Sequence, residues 1–257
     1  MGFISVSIED RVAILAINKP PANALSSSLI EELSFIFDKL QYDENVRAVL
    51  LKGDGRFFSA GADIKEFTTI STADAFSQLA ESGQVIFERI EQFRKPVIAS
   101  IHGAALGGGL ELAMACHIRY VSENAKLGLP ELQLGLVPGF AGSQRLPRYV
   151  GMAKAAEMLF TSDPISGKEA VQWGLANAAF PEEELHEASI QLAKKIAAKS
   201  PLALSKAIEL LNYSKHENYY AGVKKEADSF GDIFVSVDAK EGISAFIEKR
   251  QPQFTGR

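Results

Sequence analysis

A single cysteine, Cys116, stands in the 257 residues, which excludes an intrachain disulfide and fits a reducing compartment. It ends the apolar run Leu112-Ala-Met-Ala-Cys116, a setting that suits a packed thiol rather than a nucleophile. The four histidines, His102, His117, His186 and His216, show no metal-ligand spacing, so no metal site is expected. Long hydrophobic runs are missing, and Met1-Gly-Phe-Ile-Ser-Val-Ser7 has no basic region ahead of an apolar one. Neither a membrane span nor a signal peptide is expected, and the cytoplasm is the expected location. Positive charge is not in excess: the net charge is −5, which argues against a broad nucleic-acid surface. Gly107-Gly-Gly109 is not followed by Lys-Ser/Thr, no Gly-x-Gly-x-x-Gly opens a helix, and no Gly-x-Ser-x-Gly elbow occurs. The sequon Asn212-Tyr-Ser214 has no meaning in a cytoplasmic chain.

What is present is a globular composition, 47% apolar and 23% charged, long enough for one large domain or a domain with an appendage. Ile4 to Ser7 and Val12 to Asn18 read as a hairpin, and Lys19 to Ser26 as a loop. Leu29 to Leu40 has helical spacing behind serine caps, and Val46 to Lys52 reads as a buried strand. Ala73 to Phe93 is helical in pattern and leads to the strand Val97 to Ile101. Leu110 to Cys116 is a run of helix formers, followed by a strand at Ile118 to Val121. Leu134 to Pro147 reads as an ordered loop, Gly151 to Phe160 and Gly167 to Trp173 as helices, and Leu175 to Phe180 as a connecting segment. From Glu182 onward four stretches carry helical periodicity: 182–199, 201–213, 216–229 and 235–248. Strand–helix–strand order predicts an α/β core at 1–195, with a helical region at 196–257 that packs on the core or on other subunits.

Two small-residue turns, Ser59-Ala-Gly-Ala-Asp63 and Leu106-Gly-Gly-Gly109, each follow a predicted strand. Were they adjacent, one backbone N–H from each could meet the same oxygen and stabilise an enolate or tetrahedral oxyanion. The same glycines also suit tight helix–sheet packing. Glu111 and Glu131 each have apolar residues on both sides, and burial would raise their pKa values enough to keep one protonated beside the other ionised. Taken by themselves, the two residues are also explained, and somewhat better, as a dipole-favoured helix glutamate and an ordinary loop glutamate.

With these elements in place, the sequence resembles the enoyl-CoA hydratase (crotonase) family. The resemblance spans about Val6 to Phe254 and rests on motifs in a fixed order. They are Asn23-Ala-Leu25, Phe58-Ser-Ala-Gly-Ala-Asp-Ile-Lys65, Lys95-Pro-Val-Ile-Ala99 and Gly103-Ala-Ala-Leu-Gly-Gly-Gly-Leu-Glu-Leu-Ala113. Pro130-Glu131, Gly135-Leu-Val-Pro-Gly139, Gly142-Ser-Gln-Arg-Leu-Pro147 and Glu241-Gly-Ile-Ser-Ala-Phe-Ile-Glu-Lys-Arg250 complete them.

The resemblance implies a crotonase-like spiral of ββα turns, with a C-terminal helical trimerisation region that builds homotrimers or dimers of trimers. It implies an acyl-CoA thioester substrate and no cofactor beyond the coenzyme A that the substrate carries. The oxyanion hole would fall on the N–H groups of Ala62 and Gly108, and the two hydratase carboxyls on Glu111 and Glu131. Ala24, Ala60, Gly61, Asp63, Ile64, Gly107, Pro138 and Gly139 would line the thioester and the catalytic water. Phe246 and Lys249 would touch coenzyme A, often from a neighbouring subunit. The implied reaction is reversible addition of water across the 2,3 double bond of a trans-2-enoyl-CoA. The alternatives are an enoyl-CoA isomerase or a branched or aromatic acyl-CoA hydratase on the same scaffold. An RNA-binding role is disfavoured by the acidic total. Two departures stand out: Phe140-Ala141 replaces a pair of small residues and narrows or reshapes the acyl pocket, and His117 replaces an Asp in what is expected to be a structural role.

Overall fold

The chain opens, in the computed structural model, on antiparallel strands β1 (Ile4–Glu9) and β2 (Val12–Ile17). The structure describes residues 2–68, 70–216 and 219–257. Asp10 and Arg11 form the turn with φ of 46° and 66°, the sign that matches the twist of paired strands. In α1 (Ser27–Tyr42) the Ser26 hydroxyl accepts the Leu29 N–H, and the stripe Leu29, Leu33, Ile36, Phe37 and Leu40 is buried. Next come β3 (Ala48–Gly53), α2 (Ile64–Phe67), α3 (Ala73–Glu91), β4 (Val97–Ile101), β5 (Ala104–Leu106), α4 (Gly108–Ala115), β6 (Ile118–Ser122) and β7 (Lys126–Gly128). A 3₁₀ turn (Glu131–Leu134) leads to α5 (Gly142–Thr161), β8 (Ile165–Ser166), α6 (Gly167–Gln172) and β9 (Ala178–Phe180).

The main sheet has the order β1-β2-β3-β4-β6-β9, parallel from β2 onward, and β5-β7-β8 form a second, smaller sheet. Its parallel strands bury both faces, which is why they read as near-continuous apolar runs. Val49, Leu51, Val97, Ala99 and Ile101 meet the large core under α1, α3 and α4. The alternate residues Val12, Ala48, Leu50 and Ile98 meet Ile190, Ala193 and Ala197 of α7 (Glu182–Ala197) on the other face.

Three helices follow: α8 (Pro201–His216), α9 (Tyr219–Phe234) and α10 (Val237–Glu248). The expected helix over 216–229 has its first turn at residues 217 and 218, which lie outside the described residues. The α/β core and helical C-terminal region therefore appear in the predicted order. The boundary expected near 195 falls in the last turn of α7, a helix that covers the main sheet.

Other differences have local causes. Leu175 to Phe180 supplies an edge strand, β9, paired to β6 through Val121↔Ala179. α5 already begins at Gly142 and contains Pro147, with the kink at Gly151, where φ is 76° and ψ is 162°. Pro147 stands past the first turn and forgoes the bond that its N–H would give to the Ser143 carbonyl, and helical backbone continues only as far as the break at Gly151. The three-residue strands β5 and β7 are too short to carry a periodic signal.

Candidate active site

β3 and β4 are parallel neighbours, so the loops leaving their C-terminal ends emerge side by side, the usual place for a ligand in such sheets. Ser59 pairs with Ala105: its N–H donates to the Ala104 carbonyl, and its own carbonyl accepts the Leu106 N–H, both at 3.1 Å. A third loop closes on the first, since Ala60 N–H donates to Ala22 O at 3.0 Å and Leu25 N–H to Gly61 O at 2.8 Å. Asn23 fastens them, its Nδ2 donating to the carbonyls of Asp54 and Phe57 while its own carbonyl accepts the Ser59 hydroxyl.

Carried three residues beyond the Ser59–Ala105 pair, this register sets Ala62 against Gly108. A Cβ on Gly108 would stand 3.3 Å from Ala62 N, and one on Gly61 would stand 3.7 Å from Gly108 N. Among the described residues neither N–H has a protein acceptor. Gly61 (φ 110°) and Gly107 (φ 49°) make the approach feasible. Side chains there would strike Leu106 O at 3.0 Å and Glu131 Oε1 at 2.9 Å.

Glu111 lies one turn into α4, a helix buried along its whole length. The far end of that helix is held by Arg119, whose Nη1 donates to the carbonyls of Ala113 and Cys116, and by the Tyr149 hydroxyl on Met114 O. Glu111 Oε1 accepts the N–H groups of Phe140 and Gly142 at 2.8 and 2.7 Å. Burial, then the negative charge of Glu131, push the Glu111 carboxyl up to about 7, against the pull of those two N–H groups and Arg145. Burial also raises Glu131, whose Oε2 is buried without a partner among the described residues. Two such carboxyls near one another disfavour double ionisation.

Both carboxyls line one cavity of about 180 Å³. Of the residues expected at the site, Ala60, Gly61, Ala62, Ile64, Gly107, Gly108, Glu111, Glu131 and Gly139 border it. Ala24, Asp63, Pro138, Phe246 and Lys249 do not. Asp63 caps α2 and pairs with Lys19 at 2.8 Å, an interaction that holds its carboxyl below the usual range. Phe246 and Lys249 lie exposed at the end of α10, outside the cavity of their own chain.

Sequence reasoning missed Phe67 and the α3 residues Phe76, Leu79 and Ala80, which give the cavity an apolar wall. With Gly83 the α3 residues form an i, i+3, i+4, i+7 stripe, a legible signal whose target is not. Phe140 forms the inner wall: its ring meets Phe87 edge-on at 5.2 Å, and Gly83 lies so close that a Cβ there would fall 2.4 Å from it. His117 is structural. Its Nδ1 accepts the Val97 N–H and its Nε2 bonds Glu91 O, and burial lowers its pKa to about 4. Burial pushes the Cys116 thiol up to about 12, as a packed thiol requires. Among the described residues no group of three or more His, Cys, Asp or Glu is placed to hold a metal ion, and no helix is long and apolar enough to cross a membrane.

Comparison with known proteins gives a consistent result. A family model described as enoyl-CoA hydratase/isomerase matches residues 7–257. The chain is 58% identical over 257 residues to a Bacillus subtilis protein named "Probable enoyl-CoA hydratase", covering 100% of both. It is 39% identical to the short-chain-enoyl-CoA hydratase of Clostridium acetobutylicum, covering 95% of this chain and 94% of that one. The crystal structure of an enoyl-CoA hydratase from Bacillus anthracis superposes with a TM-score of 0.95 at 37% identity, covering 99% of this chain and 100% of that one.

Proposed function

The chain belongs to the enoyl-CoA hydratase/isomerase family and has its crotonase-like fold, and from that premise we propose how its cavity hydrates a trans-2-enoyl-CoA to the 3-hydroxyacyl-CoA. The enzyme is a hydro-lyase acting on acyl-CoA thioesters. The observation that carries the mechanism is the meeting of two pKa-raised carboxyls, Glu111 buried and Glu131 half-buried, with two N–H groups that lack acceptors among the described residues, all on one apolar cavity.

The thioester oxygen accepts from the N–H groups of Ala62 and Gly108, which draws electron density from C3. These donors are fixed before charge develops, and losing one such donor costs about 3–4 kcal/mol in characterised enzymes. Glu111 and Glu131 hold one water between them. Two backbone donors fix Glu111 Oε1 and offset part of the burial and Glu131 charge that raise its carboxyl, so it gives up its proton at about 7, the range a general base needs. Glu111 therefore takes the proton of the water as its oxygen adds to C3, and Glu131 delivers a proton to C2. Each proton transfer contributes roughly 10²–10⁴-fold. Both use the chain's own carboxyls, so the scheme calls for no metal or redox cofactor.

The cavity volume points to a short acyl group. About 180 Å³ is close to the roughly 150 Å³ of an apolar cavity that takes up benzene, which leaves room for about four to six carbons. Outside the cavity, α9 and α10 expose Phe230, Phe234, Val237, Phe246 and Ile247. Such an apolar face suits burial between copies of this chain as a homotrimer or a dimer of trimers. The reducing cytoplasm is the compartment that suits its single buried thiol.

The test is crotonyl-CoA turnover, read as loss of the enoyl thioester absorbance, followed by a series of longer 2-enoyl-CoAs. Hydration that falls off beyond about six carbons supports the reading. No turnover of any 2-enoyl-CoA would sink it, and faster turnover of 3-hexenoyl-CoA than of crotonyl-CoA would reassign the enzyme as an isomerase.

A further inference from the structure

Behind Glu111 lies a chain of contacts that the hydration scheme does not use. Glu91, the last residue of α3, receives Arg145 Nε on Oε2 at 3.0 Å and Lys215 Nζ on Oε1 at 2.7 Å. Its carbonyl accepts Asn212 Nδ2 at 3.0 Å and faces His117 Nε2 at 3.1 Å. The Arg145 and Glu91 side chains are only 6% and 11% exposed, too buried for an ornamental surface pair. Arg145 then reaches forward: its Nη1 donates to the Phe140 carbonyl at 2.9 Å. The N–H of that same residue donates to Glu111 Oε1 at 2.8 Å. Ala141, the next residue, sits at φ 68°, a conformation unfavourable for a residue with a Cβ, so the turn needs to be held from outside.

We propose that Arg145 is a positioning residue for Glu111, acting through the Phe140 backbone, and that Glu91 and Lys215 aim its guanidinium. The inference rests on Glu111 being the proton acceptor in hydration. A planar fork is what the site requires, since one side chain must meet a carboxylate and a carbonyl at fixed angles, and an ammonium cannot reproduce that geometry. Lys215 and Asn212 belong to α8, so the helical C-terminal region is tied to the chemistry of the α/β core.

Arg145 also supplies charge. The groups around Glu111 are Glu131 from the 3₁₀ turn, Arg145 from α5 and, behind Arg145, Glu91 from α3 and Lys215 from α8, with His117 kept neutral by burial. Of these, Arg145 lowers the Glu111 pKa and Glu131 raises it. Loss of the guanidinium thus acts on both the aim and the protonation of the base.

The experiment is the pH profile of kcat and kcat/KM for crotonyl-CoA from about pH 5 to about pH 9, since the acid limb of kcat/KM reports the essential base of the free enzyme. In Arg145→Met the acid limb moves to higher pH and kcat falls about 10-fold or more, while KM stays within about 3-fold, because Arg145 does not touch substrate. Arg145→Lys restores the charge but not the fork, so the limb returns to its wild-type position while kcat stays low. Glu91→Gln combined with Arg145→Met removes both buried charges, and carries the test if the single variant fails to fold. Its acid limb also moves up. A folded Arg145→Met or double variant with the wild-type limb and kcat overturns the inference, and so does a fall in kcat matched by a rise in KM with the limb unmoved. If wild-type protein hydrates no 2-enoyl-CoA, it is the proposed function that fails.

Discussion

Glu111→Gln is expected to make the protein more stable as it makes the enzyme inactive. The Glu111 carboxyl is pushed from an ordinary 4.5 up to about 7 in the folded chain. A carboxyl with a raised folded pKa binds its proton more tightly when folded, so stability falls as pH rises through the window from 4.5 to about 7, and the penalty is complete above it. Worked from those two values, the penalty is about 3 kcal/mol at pH 8 and about 1 kcal/mol at pH 5. Glutamine carries no charge and keeps an Oε1 for the Phe140 and Gly142 N–H groups. The variant should therefore gain about 3 kcal/mol at pH 8, or roughly 6 to 12 °C in Tm for a chain of this size, and much less at pH 5. Thermal unfolding of both proteins at the two pH values measures the difference, and crotonyl-CoA turnover checks that activity is lost. A stability difference that does not change between the two pH values would refute the reasoning, because an unpenalised carboxylate has no pH-dependent cost to remove.

Three further outcomes follow from particular contacts. His117, lowered from 6.5 to about 4 by burial, is neutral when folded, so the unfolded chain binds the extra proton and stability is lost as pH falls from 6.5 toward 4. His117→Asn should flatten that acid loss of Tm, and an unchanged slope would argue against it. Gly107→Ala must place a Cβ at φ 49° and 2.9 Å from Glu131 Oε1, so kcat should fall by about 10²-fold or more along with Tm; a variant with wild-type kcat would show that Glu131 has no need of that position. Gly83→Ala gains helix propensity of about 1 kcal/mol but drives a Cβ to 2.4 Å from the Phe140 ring. The ring must yield toward the cavity, so turnover of hexenoyl-CoA should drop further than that of crotonyl-CoA, and an equal loss for both would place the ring outside the acyl path.

The strands of the main sheet were legible because burial on both faces leaves unbroken apolar runs such as Val97 to Ile101. The two small-residue turns were legible because only glycine and alanine tolerate such close backbone approach, as at Gly61 and Leu106 O. Their meeting was not, because it depends on β3 pairing with β4 and on the Ser59↔Ala105 bridge, contacts between segments more than forty residues apart in the chain. The candidate carboxyls stood out through their apolar neighbours, yet that pattern could not show the two N–H donors that Phe140 and Gly142 bring from thirty residues away. Arg145 stands within a motif but shows no task in the sequence, since Glu91 reaches it from another helix and is itself held by Lys215 from a third.

The turn at 140–142 joins two properties that are usually separable. Its backbone gives Glu111 both of its N–H donors, and its Phe140 side chain closes the acyl cavity between Gly83, Phe87 and Gly108. The Phe140 N–H is held by Glu111 and its carbonyl by Arg145, so room for a longer chain must come from rotation of the ring alone, which Phe87 and Gly83 crowd from behind. A substitution that removes only ring atoms, Phe140→Ala, leaves both backbone contacts available. It should extend the accepted acyl length by several carbons while keeping the acid limb of crotonyl-CoA turnover near its wild-type pH, although the lost packing costs about 3–5 kcal/mol of stability. A substitution that moves the backbone, such as proline at the same position, deletes one donor to Glu111 and should shift the acid limb upward whatever it does to chain length. If both variants moved the limb equally, side chain and backbone would not be separable, and the cavity wall itself would have to be counted among the supports of the base.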